Sequence, residues 1–302
     1  MPLVYPRFVV AASPAERPSP PVALLSAIKF SHTVFALPFA LLAALLAARG
    51  IPELRTLAFI LLAMVGARSA AMAWNRLVDR DVDAANPRTQ NRELVTGVLS
   101  VFQMRVFCAL SVLLFLFAAS QINRLCLLLA PIALLVVLGY SHTKRFTALA
   151  HLVLGLGLAI APVGAWVAVR GEFALLPVVL GFGVLFWVAG FDVIYSLQDE
   201  SFDREQGLHS IPSALGGARA LLVSRVFHVL AFACFLATWS LSGLGLVFLA
   251  GVLVAGAFLV RQHLLVSPTD LSRVDAAFFT ANGWLSVILF AAGAVDLLLV
   301  GH

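Results

Sequence analysis

The sequence predicts an all-α polytopic membrane protein, with about nine transmembrane helices bundled around a central lipid-accessible cavity. Hydrophobic residues make up 62% of the 302 residues and charged residues 12%, whereas soluble globular proteins have about 45–50% and about 25%. A water-soluble fold cannot bury so much apolar surface, because only part of any globule is interior. The chain also lacks the ten-residue alternation typical of membrane barrels, so closed helices are the remaining way to satisfy the backbone in lipid.

The predicted helices are the apolar stretches of about 20 residues, which is the length that spans a bilayer. The nine stretches cover 24–48, 54–78, 98–119, 124–140, 148–169, 173–197, 213–238, 243–264 and 276–299. We expect them to form one transmembrane domain over 23–302. The proline-rich segment 1–22 is expected to be a disordered cytoplasmic tail, because it lacks a long apolar core.

The basic residues predict the orientation in the membrane. Fourteen lysines and arginines lie in the N-terminal tail, the even-numbered loops and their helix ends, against four in the odd-numbered loops. Because basic residues concentrate on the cytoplasmic side, the N-terminus and the even loops are predicted to be cytoplasmic. The net charge of +5 favours an anionic lipid or an anionic substrate as partner, and not nucleic acid.

Two acidic segments on this side carry the strongest functional signal. Nine of the fifteen carboxylates lie in the windows 74–97 and 192–217. Three residues recur with a constant offset of 120, in the pairs Asp79 and Asp199, Asp83 and Asp203, and Gly97 and Gly217. Each window follows one long apolar stretch and precedes another. This suggests an internal duplication of helices one to four in helices five to eight, with the ninth helix added.

Helical spacing predicts that the acids of each window share one face, because residues three or four apart are neighbours on a helix. The two sets are Asn75, Asp79 and Asp83, and Asp192, Tyr195, Asp199 and Asp203. Carboxylates one turn apart repel each other unless a cation lies between them, and hard oxygen ligands suit Mg²⁺. Mg²⁺ usually completes its shell with phosphate oxygens, whose outer charge basic residues could bind. The basic candidates are Arg80, Arg88, Arg92, Lys144 and Arg145.

Two further basic residues, Lys29 and Arg68, lie inside predicted spans. A charge at the centre of a membrane helix costs about 2.5–3.5 kcal/mol on insertion scales, so such residues usually face a cavity. Arg68 precedes Asp79 by eleven residues, about three helical turns on the same face, which predicts a position beneath the acidic site. The alternatives are a snorkelling side chain for Lys29 and an interhelical salt bridge for Arg68.

The motifs NxxxDxxxD over 75–83 and YxxxDxxxD over 195–203 resemble the paired signatures of the UbiA family of intramembrane aromatic prenyltransferases. Residues around 86–92, 140–145 and 207–210 resemble the same family. Its nine-helix fold agrees with the helix count above. The resemblance implies a prenyltransferase that moves a polyprenyl group from its diphosphate to an aromatic ring, so that 23–302 would be the prenyltransferase domain.

Carried over by position, the resemblance implies roles for particular residues. Asn75, Asp79 and Asp83 would hold one Mg²⁺, and Asp199 and Asp203 another. Asp192 and Tyr195 would belong to the catalytic set, and Lys29 and Arg68 are candidates for binding an acceptor carboxylate. The pattern points to the 4-hydroxybenzoate branch in quinone biosynthesis, with a polyprenyl diphosphate and an aromatic acid as substrates. The expected location is the bacterial inner membrane, with the acidic loops in the cytoplasm.

Two alternatives stay open at this point. The segment 28–38 departs from the arginine-bearing first helix expected of ubiquinone-pathway enzymes, so the acceptor could be a naphthoate-type acid of menaquinone biosynthesis. A protein of a different class, a secondary transporter or divalent-cation carrier, could also combine paired repeats with acidic residues. A transporter would place its acids near the bilayer midplane, whereas these acids lie where helices meet cytoplasmic loops.

Overall fold

The computed structural model describes residues 20–27, 35–275, 278 and 281–300, and these residues are organised as thirteen α-helices. The helices are α1 (Pro20–Ala27), α2 (Leu37–Ala48), α3 (Leu54–Val78), α4 (Arg80–Ala85), α5 (Val101–Ile122), α6 (Arg124–Thr143), α7 (Ala150–Arg170), α8 (Leu175–Ser196), α9 (Glu200–Glu205), α10 (Ile211–Leu215), α11 (Gly217–Ser242), α12 (Leu246–Leu265) and α13 (Ala281–Val295). A 3-10 turn follows α8 and a π-helical turn follows α13.

The predicted all-helical membrane fold is confirmed. Within the described ranges, eight helical segments are long and apolar enough to cross a membrane. The second predicted span, 54–78, coincides with α3, and the start of the seventh moves from 213 to Gly217 because a separate helix, α10, precedes it. The first span is described as α1 and α2, and 28–34 lies outside the described residues.

The N-terminal boundary differs from the prediction. Helix α1 begins at Pro20, inside the segment 1–22 that the sequence suggested as a tail. Proline is well suited to the first position of a helix, where its missing N–H has no helical partner to lose. Residues 1–19 lie outside the described part of the chain, so the predicted disorder of that segment stays a prediction.

Helix α8 lies at the centre of the packing, between α7 and α11. Two glycines allow these close approaches. A Cβ atom at Gly155 of α7 would lie 2.3 Å from the Leu185 carbonyl oxygen of α8, and one at Gly190 of α8 would lie 2.3 Å from the His228 ring of α11. Small residues at membrane-helix contacts let backbones approach in this way. The α7–α8 contact brings together polar residues near the start of α7 and the end of α8.

The packing of α3 on α5 in the first half has a counterpart in the packing of α8 on α11 in the second. In terms of the predicted spans, α3 and α5 are the second and third spans of the first half, and α8 and α11 are the second and third spans of the second half. The first acidic segment follows α3, and the second follows α8. The segments meet at one end of the bundle, where Arg88 contacts Asp199 and the His209 amide donates to the Lys144 carbonyl oxygen at 2.7 Å. The internal duplication suggested by the sequence stays a prediction.

Candidate active site

The spacing of the first acidic motif suggested one unbroken helix. In the structure the motif lies instead at a break between two helices. Helix α3 ends at Val78, and Asp79 has φ −92° and ψ 8° before α4 begins. The helical hydrogen bonds nevertheless continue, from Asp79 N to Asn75 O at 2.9 Å and from Asp83 N to Asp79 O at 2.7 Å. Asn75 Nδ2 also donates to Asp79 Oδ2 at 2.9 Å. The three polar side chains therefore stay on one side of the chain.

The second acidic motif is also interrupted, by the 3-10 turn Leu197–Asp199 between α8 and α9. A 3-10 turn is more tightly wound than an α-helix, so it changes the direction of the side chains that follow. Asp192 and Tyr195 before the turn, and Asp199 and Asp203 at and after it, all face the same space as the first motif. The prediction that each motif presents one polar face therefore agrees with the structure, although neither face is a regular helix.

That space is a cavity of about 230 Å³ at the end of the bundle, here called the polar cavity. Ten of the fourteen candidate residues line it. They are Asn75, Asp79, Asp83, Arg88, Arg92, Lys144, Asp192, Tyr195, Asp199 and Asp203. The structure thus brings together two segments that are 120 residues apart in sequence.

Basic side chains neutralise the carboxylates of the first motif. Arg92 Nη1 donates to both carboxylate oxygens of Asp83 at 2.6 Å. Asp79, which is 2% exposed, is paired with Lys144 Nζ at 3.0 Å and with Arg145 Nη2 at 3.1 Å. Because burying a carboxylate is costly unless it is paired, these cations offset the cost of burying both acids at the cavity.

Arg88 connects the first acidic segment to the second. Its Nε and Nη2 atoms donate to the two carboxylate oxygens of Asp199 at 3.0 and 2.5 Å, a bidentate arrangement. Asn86 Nδ2 donates to Asp199 Oδ1 at 3.0 Å, and Arg88 lies 5.3 Å from the centre of the Tyr195 ring. Burial lowers the pKa of Arg88, but the hydrogen bond and charge of Asp199 outweigh this and raise it. The acids of the two halves therefore belong to one site.

Three of the described candidate residues lie outside the polar cavity, and a fourth candidate is not among the described residues. Arg80 is exposed, so its predicted role in binding substrate is not supported by its position. Arg145 contacts Asp79 and the Val78 carbonyl oxygen from the rim. Arg68 lies deeper in the bundle, and Lys29 lies outside the described residues.

A second, apolar cavity of about 500 Å³ lies below the polar one, between α3, α5, α6, α7 and α8. Tyr140 and Leu154 line both cavities, so the two adjoin. Arg68 lies in the wall of the apolar cavity, which places it beneath the acidic site as predicted. Some lining residues are strongly exposed, for example Ile132 (59%) and Phe182 (48%). The apolar cavity is therefore open at the surface of the protein.

Sequence reasoning missed His151, which lines the polar cavity and is 4% exposed. Its Nδ1 atom lies 2.7 Å from Asp192 Oδ2, and its Nε2 atom accepts a hydrogen bond from the Ile211 amide at 3.2 Å. No motif spacing links residues 151 and 192. The contact depends on the close packing of α7 on α8 at Gly155, which only the folded chain reveals.

The fold and the site define the class of protein: an all-helical integral membrane protein in which two acidic segments share one polar cavity at the end of the bundle. The sequence model of the UbiA prenyltransferase family matches residues 36–288, and the chain belongs to this family. It is accordingly a transferase of prenyl groups, as the paired motifs suggested, and not the transporter or cation carrier considered as an alternative.

Individual relatives agree with this assignment. The 4-hydroxybenzoate octaprenyltransferase of Aromatoleum aromaticum is 29% identical over 251 residues, which cover 83% of this chain and 85% of the relative. The apo structure of a UbiA homolog from Aeropyrum pernix K1 is similar with a TM-score of 0.81 and 36% identity, covering 89% of this chain and 98% of the other. A UbiA homolog from Archaeoglobus fulgidus bound to DMAPP and Mg²⁺ shares the fold, with a TM-score of 0.70, 22% identity and 91% and 99% coverage.

Proposed function

We propose that the protein transfers a polyprenyl group from polyprenyl diphosphate to the ring of a 4-hydroxybenzoate-type aromatic acid, with Mg²⁺ and with release of diphosphate, in quinone biosynthesis. The acceptor is supported by the curated relatives, which are named 4-hydroxybenzoate octaprenyltransferases. The apolar cavity, which is open at the surface of the protein, suits a long prenyl chain, because such a chain partitions into the membrane and can enter from it.

The observation that carries the proposal is the charge of the polar cavity. Five carboxylates and three basic side chains line it, so with neutral histidines its net charge is negative. A diphosphate is itself multiply negative, and like charges repel strongly where water is partly excluded. The cavity can hold a diphosphate only if additional cations enter with it. The acidic residues, which would repel the diphosphate by themselves, would then bind it through the cations that they hold.

The donor atoms fit Mg²⁺. Carboxylate and amide oxygens are hard ligands, and Mg²⁺ is commonly held by one or two carboxylates together with substrate phosphates. Each acidic segment would offer an ion only two or three protein ligands, so phosphate oxygens of the substrate would complete the coordination shell. Asn75, Asp79 and Asp83 would hold one ion, and Asp199 and Asp203 the other. When bound, Mg²⁺ would neutralise the diphosphate and make it a better leaving group.

The basic residues of the cavity complete the activation of the leaving group. Arg88, Arg92 and Lys144 lie beside the acids and point into the same space. Positive charge fixed at this place stabilises the negative charge that develops on the diphosphate when its bond to the prenyl carbon breaks. Tyr195 keeps Arg88 in place through its ring face and its hydroxyl, which accepts from Arg88 Nη1 at 3.3 Å.

The acceptor site extends from the polar cavity into the apolar one. The Arg68 guanidinium would bind the carboxylate of the aromatic acid, since it is a cation in an otherwise apolar wall. The ring then attacks the allylic carbon, the electron pair of the broken carbon–oxygen bond leaves with the diphosphate, and the ring loses a proton. Asp192, which faces the polar cavity on the side towards α7, would accept that proton.

The proposal can be tested in an activity assay of the purified protein in lipid with Mg²⁺ and a polyprenyl diphosphate. The assay offers 4-hydroxybenzoate and a dihydroxynaphthoate in parallel as acceptors. Mass spectrometry should detect ring-prenylated hydroxybenzoate together with stoichiometric diphosphate. If only the naphthoate is prenylated, the enzyme acts in menaquinone biosynthesis instead. If neither acid is prenylated, the proposed reaction is contradicted.

The proposed role of Arg68 can be tested with Arg68→Met, which keeps the bulk of the side chain and removes its charge. A hydrogen bond to a charged group is worth about 1.5–3 kcal/mol, and about 1.4 kcal/mol is a tenfold change. The apparent KM for the aromatic acid should rise by about one to two decades, with less change for the diphosphate. Arg55→Met, at an exposed position on the same helix, is the matched control. The opposite pattern would assign Arg68 to the diphosphate.

The orientation is part of the same proposal. The excess of fourteen basic residues over four supports a cytoplasmic position for the N-terminus and the acidic segments, and we infer that the membrane is a bacterial inner membrane. The polar cavity would then receive a soluble aromatic acid from the cytoplasm, while the prenyl chain enters from the bilayer. Residues 23–302 would constitute one prenyltransferase domain.

A further inference from the structure

Asp192 is held by one contact to His151, and His151 is held in turn by a contact to Ile211; neither contact involves an acidic pair. The Nδ1 atom of His151, near the start of α7, lies 2.7 Å from Asp192 Oδ2 on α8. The Nε2 atom of the same ring lies 3.2 Å from the amide nitrogen of Ile211, the first residue of α10. Three elements therefore converge on one imidazole that is 4% exposed.

These contacts fix the tautomer of His151. A backbone amide can only donate, so Nε2 must be the unprotonated nitrogen that accepts from Ile211. In a neutral imidazole the proton is then on Nδ1, which donates it to the Asp192 carboxylate. The ring cannot turn over without losing both hydrogen bonds. Asp192 consequently keeps one oxygen bound to His151, while its side chain, 25% exposed, faces the polar cavity.

The geometry points to His151 as a positioning residue that orients Asp192 to accept the ring proton and links this orientation to the docking of the segment between α9 and α10. The inference rests on the proposed function, in which Asp192 is the base. In the step concerned, the ring carbon–hydrogen bond breaks, its electron pair restores the aromatic ring, and the proton moves to the carboxylate. No oxidant or further reactant is needed.

The docked segment gives His151 its second role. Ser210, the N-cap residue of α10, lines the polar cavity immediately before Ile211, and Asp203 lies on the preceding helix. The Ile211 amide can donate to His151 only when this segment is in place against α7. The base is therefore oriented when the second acidic segment is closed over the site, so that chemistry and closure are coordinated.

Three substitutions separate the two hydrogen bonds of His151. The amide nitrogen of asparagine can replace Nδ1, so His151→Asn keeps a donor to Asp192 and loses the acceptor for Ile211. Glutamine reaches the position of Nε2, so His151→Gln keeps an acceptor for Ile211 and loses the donor to Asp192. His151→Phe loses both and retains the ring. His142→Phe, at an exposed histidine outside the polar cavity, is the matched control.

The measurement is the kinetic isotope effect on kcat with an aromatic acid deuterated at the ring position that is prenylated. For the wild type and His142→Phe we expect no isotope effect, since proton loss is fast when the base is oriented. In His151→Asn, which keeps the donor to Asp192 but loses the docking contact with Ile211, kcat should fall by only a few-fold, with a smaller isotope effect than in His151→Gln. In His151→Gln and His151→Phe, kcat should fall about 10- to 100-fold, as expected for a misplaced reacting group, and a normal primary isotope effect should appear. The KM for prenyl diphosphate should stay within a few-fold, which shows that the variants are folded.

Two results would overturn the inference alone. One is wild-type behaviour of His151→Gln with impairment of His151→Asn, which would mean that His151 serves only to hold the α10 segment. The other is a loss of kcat without any isotope effect in His151→Phe. A wild-type enzyme that prenylates no aromatic ring would instead overturn the proposed function, and with it the role of His151.

Discussion

Replacing Asp79 or Asp199 by asparagine is expected to reduce turnover by about two to three orders of magnitude, the range found when one group that stabilises transition-state charge is removed. Asparagine has the shape of aspartate but not its charge, so each variant loses an anionic ligand for Mg²⁺. In Asp79→Asn, Lys144 and Arg145 also lose their common counter-charge. In Asp199→Asn, the bidentate contact that joins Arg88 to the second acidic segment is weakened.

The matched control is Asp81→Asn, which makes the same change within the first motif. Asp81 is exposed and does not line the polar cavity, so its variant should retain wild-type turnover. Rates of ring prenylation in lipid, together with thermal stability of each purified variant, are the measurements. Equal activity of the Asp79 and Asp81 variants would contradict the assignment of the polar cavity as the catalytic site.

Removal of divalent cations is expected to have an equally large effect, through binding as well as through turnover. The negative net charge of the polar cavity should prevent a prenyl diphosphate from binding when no cation neutralises it. In EDTA, calorimetry should detect no binding of the diphosphate, and added Mg²⁺ should restore both binding and turnover. EDTA already saturated with Mg²⁺ is the control for non-specific effects of the chelator. Full turnover in free EDTA would contradict a metal-dependent site.

Much of the fold could be predicted from composition and hydropathy, because membrane helices must be long, apolar and internally hydrogen-bonded. The span 54–78 was predicted to the residue. The break at Asp79 and the 3-10 turn that ends at Asp199 were not predicted. Such breaks arise at the ends of the long apolar helices, where the chain contacts other loops. The periodicity of apolar residues along the sequence does not depend on those contacts and cannot predict them.

The candidate site was predictable where it consists of short motifs, and not where it depends on packing. The spacing of the acids gave the lining of the polar cavity, because residues one turn apart share a face. Arg80 lies within the same short motif as Asp79 and Asp83, yet its side chain is exposed. His151 contacts Asp192 where α7 packs closely on α8, an approach that Gly155 permits one turn further along α7. A glycine and a histidine four residues apart give no such indication by themselves.

The central claim is that the two acidic segments together hold the diphosphate of the prenyl donor above the apolar cavity. A crystal structure with Mn²⁺ in place of Mg²⁺ and a non-hydrolysable prenyl diphosphate tests it most directly, because anomalous scattering locates the manganese ions independently of the phasing model. We predict one ion at Asp79 and Asp83, one at Asp199 and Asp203, and the prenyl chain in the cavity that Arg68 lines. Manganese at neither acidic pair, or a diphosphate bound outside the polar cavity, would contradict the account.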